Sequence, residues 1–142
     1  MLRIGKLTDY ALLILSHMAK TNSVMSAAVI AKMLHLTLPT VSKILKMLAD
    51  ANLVASRRGA DGGYQLARAA DQISVADVLV AMEKGIALTE CCSKFKRCNI
   101  ATVCTMRENW IKINQMIHTL LAKLTIIQIA EPLSVQELIN GK

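Results

Sequence analysis

One β-hairpin signal stands inside a chain whose apolar residues otherwise recur every three or four positions, and this restricts the fold more than any other feature. Leu53-Val54-Ala55-Ser56-Arg57 is a short β-type run, Arg58-Gly59-Ala60-Asp61-Gly62-Gly63 is turn-forming, and Tyr64-Gln65-Leu66 returns as a second strand. Composition assigns the rest of the interior to helices. Of the residues 54% are apolar, yet only one Phe, one Trp and two Tyr are present. Leu, Ile, Val, Ala and Met must fill the core, which favours helices over a β-sandwich.

The segments around the hairpin have recognisable helix ends. The first helix is expected from about Thr8, as its N-cap, to Lys20, with Leu12, Leu13, Leu15, Met18 and Ala19 at helical spacing. After a break at Asn22-Ser23, Ser26 caps a short helix over 27–34, and His35-Leu36-Thr37 makes a tight turn. Thr37 then caps a helix over 38–50, with Pro39 in its first turn and Leu38, Val41, Leu45 and Leu48 as the buried stripe. Two short helices joined by such a turn form a helix-turn-helix, and the hairpin behind them forms a wing. Ser74 and Asp77 make a capping box for the next helix, which Gly85 ends.

Thr105 and Glu108 are expected to make another box, at the head of a long helix reaching about Leu124. Its stripe of Met106, Trp110, Ile113, Ile117, Leu120 and Leu124 runs for about 30 Å at the usual helical rise. A stripe of that length is expected to pair with a second copy, packing on its own domain being the alternative. Beyond Pro132, Ser134 and Glu137 cap a last short turn. The expected architecture is mainly α: a winged helix-turn-helix domain over 1–85, a cysteine-rich loop over 86–104, and a dimerisation helix and tail over 105–142.

Charge is uneven along the chain. Residues 1–70 carry nine Lys/Arg against three acids, and residues 71–142 carry eight against seven. A basic half joined to a nearly neutral one points to a polyanion partner, with a solvated basic surface as the plain alternative. On the helix over 38–50, Thr37, Pro39, Thr40, Ser42, Lys43 and Lys46 lie off the buried stripe. Thr40, Ser42 and Lys43 are placed for base edges, Lys46 and Lys32 for phosphates. Arg57 and Arg58 beside the glycine tip suit an A·T-rich minor groove, or else a solvated hairpin. The longest apolar runs, such as Tyr10 to Leu15, fall far short of the ~20 residues a membrane span needs. The N-terminus has no signal-peptide layout. A soluble, cytoplasmic protein that meets double-stranded promoter DNA and no membrane is expected.

All four cysteines, Cys91, Cys92, Cys98 and Cys104, fall within fourteen residues. Such a cluster points to metal or redox chemistry rather than to disulfides. Cys92, Cys98 and Cys104 are separated by five residues each time. That interval matches neither the paired spacing of zinc sites and thiol oxidoreductases nor the ferredoxin patterns. It does allow one loop to wrap a soft centre with three thiolates, which Lys94, Lys96, Arg97 and Arg107 would stabilise, ordinary thiols being the alternative. With no paired acid and base and no phosphate-cradling loop, an enzyme is not expected. His17, within the first helix, and His35, in the bend, read as structural.

The stretch Arg57-Arg58-Gly59-Ala60-Asp61-Gly62-Gly63-Tyr64-Gln65-Leu66-Ala67-Arg68, the helix-turn-helix before it and the cysteine triad together resemble the bacterial Rrf-type (IscR/NsrR) family of winged-helix iron–sulfur transcriptional regulators. The resemblance covers about residues 1–125, and the opening 2–11 and the segment 87–92 are most similar to regulators of SUF cluster-assembly operons. It implies a homodimer holding one iron–sulfur cluster per subunit, [2Fe–2S] ahead of [4Fe–4S], and acting as a repressor gated by cluster occupancy. A clusterless or nitric-oxide- or redox-responsive regulator of the same fold is the alternative. The resemblance also bears on the fourth ligand. IscR-type members place a histidine three residues after the last cysteine, where this chain has Arg107. NsrR-type members use an aspartate from the first helix of the partner subunit, which Thr8-Asp9-Tyr10 matches. Asp9 is therefore the implied fourth ligand, against an ordinary first-turn carboxylate favoured by the helix dipole. Glu90 and Glu108 stand in reserve, and Cys91 is left as a spare or exchanging thiol.

Overall fold

The computed structural model describes residues 3–140, apart from the side chains of 137 and 138. Its elements are α1 (Lys6–Thr21), α2 (Ala27–Leu34), α3 (Leu38–Asp50), β1 (Val54–Arg57), β2 (Gly63–Leu66), α4 (Val75–Glu83), α5 (Arg107–Lys123), α6 (Ile126–Ile129) and α7 (Val135–Asn140). Mainly helical, with one antiparallel strand pair, this is the winged helix-turn-helix that the patterns imply.

The caps of the helix-turn-helix form as expected. Ser26 accepts the Val29 amide at 3.2 Å and Thr37 accepts that of Thr40 at 3.4 Å. His35 takes the left-handed conformation (φ 53°) that ends α2, and α2 and α3 meet at 120°, as helix-turn-helix units do. Within α3 the buried residues are Val41, Ile44, Leu45 and Leu48. Leu38 leaves the stripe at 48% exposure. It sits on the first turn, and the covered arc is broad enough to take Ile44 in its place.

The wing pairs Val54 with Leu66 and closes at Arg57 opposite Gly63. A third segment joins it: Met25 and Tyr64 exchange both backbone hydrogen bonds, at 2.9 and 2.8 Å. Gly63 is required there, because a Cβ would stand 2.5 Å from the Met25 carbonyl oxygen. The wing is thus tied to the α1–α2 connection as well as to α3, on which β1 packs.

One core joins these parts. Ile14, Leu15, Ile30, Ile44, Leu48, Leu53, Ile73 and Val78 are all at its centre, and so is Ile126. Ile126 lies in the segment 105–142, which the sequence assigns to a dimerisation helix and a C-terminal tail. After α5 the chain instead returns to the head: the Val75 amide donates to the Leu124 carbonyl at 2.8 Å and the Ile126 amide to the Ile73 carbonyl at 2.9 Å. Leu124, expected at the end of the open stripe, is buried with Val75 and Leu79.

Two helix starts differ from expectation. Gly5, not Thr8, is the N-cap of α1, and Thr8 is 1% exposed inside the helix. A residue 75 positions away is the cause, since the Thr8 hydroxyl donates to the Glu83 carboxylate. At α5 the Thr105–Glu108 box is absent; Met106 is the N-cap, without side-chain capping. The Cys104 carbonyl accepts the Arg107 amide at 3.4 Å, and this tight turn occupies the place a Thr105 cap would need. The Ser74–Asp77 box does form, and α4 ends at left-handed Lys84. The Ser134–Glu137 cap rests on a side chain outside the described residues. Among the described residues no single helix is long and apolar enough to cross a membrane.

Candidate DNA interface and cysteine loop

Lys32, Thr37, Pro39, Ser42, Lys43, Lys46, Arg57 and Arg58 are exposed, and Thr40 is half-buried. Thr37 and Thr40 bond each other through their hydroxyls at 2.8 Å, so both hold the first turn of α3 as well as lining its outer face. Leu38 is the residue the spacing missed, since its exposed side chain adds an apolar surface of the kind that meets thymine methyl groups. Among the described residues the ion pairs are Lys20–Glu131 at 3.2 Å and Arg68–Asp77 at 3.1 Å. None of Lys32, Lys43, Lys46, Arg57 and Arg58 takes part in them, so all five stand outside the ion pairs of the described residues. At the wing tip a Cβ on Gly62 would stand 2.5 Å from the Arg57 carbonyl oxygen. The tip therefore folds back on the arginine pair only because glycine is there.

The cysteine loop is fastened to α5 at its near end. Asn114 accepts the Leu88 amide at 3.0 Å and donates to the Ile86 carbonyl at 3.1 Å. The Thr89 hydroxyl lies 3.0 Å from Cys91 Sγ and 3.3 Å from Cys92 Sγ, and the Cys92 thiol donates to the Trp110 carbonyl at 3.4 Å. Cys98 and Cys104 follow, half-buried like the other two, and Cys104 stands just ahead of α5. Asn114 was not foreseen. A polar residue four positions after Trp110, beside an apolar stripe, is the signal that would have found it.

Three thiols among exposed Lys94, Lys96, Arg97 and Arg107 have the donor chemistry of an anionic thiolate cluster. Among the described residues, however, no three His, Cys, Asp or Glu side chains stand together as a metal-binding group. One subunit in this conformation holds donors of the right kind without gathering them. Asp9 is exposed on α1 and lines a groove of about 580 Å³ with Leu12, Leu13, His17 and Leu124. Cys92 lines a different cavity, of about 470 Å³, with Glu83, Lys84, Asn114 and His118. Glu90 opens the helical turn that carries Cys91 and Cys92, and Glu108 is exposed on the first turn of α5. His35 serves the bend, as expected, its amide donating to the Ala31 and Lys32 carbonyls. His17 is packed with its Nε2 buried and without a partner among the described residues.

Residues 4–132 match the model of the Rrf2 family, described as an iron-dependent transcriptional regulator. An HTH-type transcriptional regulator of Neisseria meningitidis serogroup A is 32% identical over 127 residues, covering 89% of this chain and 84% of that protein. Among solved structures, CymR, the global cysteine regulator of B. subtilis, has a TM-score of 0.71 at 29% identity and covers 92% of this chain and 97% of its own. The T. potens IscR has a TM-score of 0.68 at 25% identity, with 90% and 85% covered.

Proposed function

The chain belongs to the Rrf2 family of iron-dependent transcriptional regulators, and from that premise we propose that it is a homodimeric repressor of SUF-type iron–sulfur assembly genes. It is a regulator and not an enzyme, as its relatives are. In this reading α3 enters the major groove of promoter DNA with Ser42, Lys43 and Thr40 at base edges, while Lys32 and Lys46 meet phosphates. Arg57 and Arg58 reach into the minor groove. Cys92, Cys98 and Cys104 of one subunit, with Asp9 of the partner subunit, hold an iron–sulfur cluster. When bound, the cluster supplies a centre that responds to iron and oxidants. The protein's own residues do the rest: nearby cations favour the thiolates, Asn114 and Trp110 hold the near end of the loop, and the open stripe of α5 receives a second copy.

The observation that carries this reading is where the thiols sit. Their loop joins a head with five cations outside the ion pairs of the described residues to a helix with no buried side chain, so a ligand held there acts on both.

Anaerobic reconstitution tests it. A brown protein with visible absorption is expected from the wild type, and a colourless one from Cys98→Ala. Mixed dimers test the origin of the fourth ligand. A dimer of one Asp9→Ala chain and one Cys98→Ala chain retains one complete site if Asp9 crosses the interface, and none if it acts within its own subunit. A second reading has the fold likeness to CymR in its favour: a clusterless regulator taking a small molecule in the cavity lined by Cys92. A wild-type protein that stays colourless, with zinc or no metal, favours it.

A further inference from the structure

The end of α4 and the start of α1 meet at one carboxylate. Glu83 Oε1 accepts the Gly5 amide at 2.9 Å and also the hydroxyl of buried Thr8. The Gly5 carbonyl in turn accepts the Asp9 amide at 3.1 Å. A continuous line of hydrogen bonds therefore runs from Glu83 through Gly5 to the backbone of Asp9. The fit is close, since a Cβ on Gly5 would stand 2.6 Å from Glu83 Oε1. At its other side Glu83 is the last residue of α4, followed by left-handed Lys84 and by Gly85 (φ 122°), where the chain turns into the cysteine loop. Its side chain lines the same cavity as Cys92. A helix N-terminus satisfied by a distant carboxylate gains both a charge-assisted hydrogen bond and a favourable dipole interaction. Here it also gains a fixed position relative to the loop.

We infer that Glu83 is a positioning residue for the cluster site: it locks the first turn of α1, and with it Asp9, to the hinge of the cysteine loop. The inference rests on the reading of Asp9 as a ligand donated to the partner. In such a dimer each Asp9 serves the other subunit's cluster while being held against its own subunit's loop. The two sites are then linked through Glu83.

The test uses full-length Glu83→Ala, Glu83→Gln, Gly5→Ala and Asp9→Ala. Gly5→Ala displaces the carboxylate without altering it, and Gly5 has an ordinary backbone conformation (φ −65°, ψ 150°) that alanine adopts. In the metal-free protein, hydrogen exchange at the Asp9 amide is expected to be at least tenfold faster in Glu83→Ala and Gly5→Ala, with Glu83→Gln close to wild type. Unchanged exchange overturns the clamp. In the reconstituted protein, Glu83→Ala is expected to lose cluster absorption at least tenfold faster, and the double variant with Asp9→Ala no faster than Asp9→Ala alone. Additive losses, or an Asp9→Ala defect with no Glu83→Ala defect, overturn the positioning role while leaving Asp9 as a ligand. Normal cluster stability in Asp9→Ala itself removes the ligand reading and the inference with it.

Discussion

In the head, α1 and α3 bury Ile14, Leu15, Ile44, Leu45 and Leu48 completely, whereas α5, the longest helix at 17 residues, buries none of its side chains. Along α5, Trp110 is 37% exposed, and Ile113, Leu120 and Met116 are more open still. The polar groups divide in the same way. Helix caps in the head are closed by Ser26, Thr37 and the Ser74–Asp77 box, while the cysteine loop has four half-buried thiols and a helix start with no side-chain cap. The head closes its core and these caps within one chain, and leaves His17 Nε2 buried without a partner among the described residues. In the other half the apolar stripe of α5 stays open, the face to which the dimer proposed above assigns a second copy. For the function proposed above, that division lets the part that reads DNA keep its shape while the part assigned to sensing depends on what it binds.

Substitutions in the two halves should therefore fail in different ways. The largest effect is expected from Cys98→Ala: complete loss of the visible absorption of the reconstituted protein, with the thermal unfolding of the metal-free protein unchanged. A clear drop in metal-free stability would show that the loop is part of the core and erase the contrast. Next, Ile44→Ala should cost about 2–5 kcal/mol in denaturant unfolding, because it empties a fully buried site. Trp110→Glu should leave the head folded but shift the protein to monomer in sedimentation. DNA affinity should then fall roughly 100-fold, or about 2.7 kcal/mol, as one half-site contact is lost. A variant that stays dimeric would show that α5 is not the subunit contact, and a monomer that binds DNA as before would show that binding does not need two heads. The smallest effect should come from Lys46→Ala: affinity lowered by a similar factor on every sequence, and a salt slope shallower by about one.

Much of the head was legible because its determinants are local. Ser26, Thr37 and Asp77 act within three residues of their own positions, and the glycine-rich tip specifies its own turn. What was misread depends on distant chain. Thr8 looks like an N-cap until Glu83 is placed over it. Leu124 looks like the end of the open stripe until its carbonyl and the Ile126 amide pair with Val75 and Ile73. Leu38 and Ile44 exchanged roles because spacing locates a stripe but not its width. In the candidate site the donor types could be read directly, as could the missing histidine at Arg107. Their spatial arrangement could not, because three thiols spaced along a loop do not say where the loop folds, and the ligand proposed from a second copy would leave no trace in one chain's packing.

In the function proposed above, a ligand at the cysteine loop controls a head that is already folded. The most direct measurement is the affinity of anaerobically reconstituted and metal-free protein, side by side, for the promoter upstream of the protein's own gene. At least a tenfold difference in Kd between the two forms is expected, abolished in Cys98→Ala, which should bind like the metal-free protein. Equal affinities for the loaded and metal-free forms, with both dimeric, would contradict it.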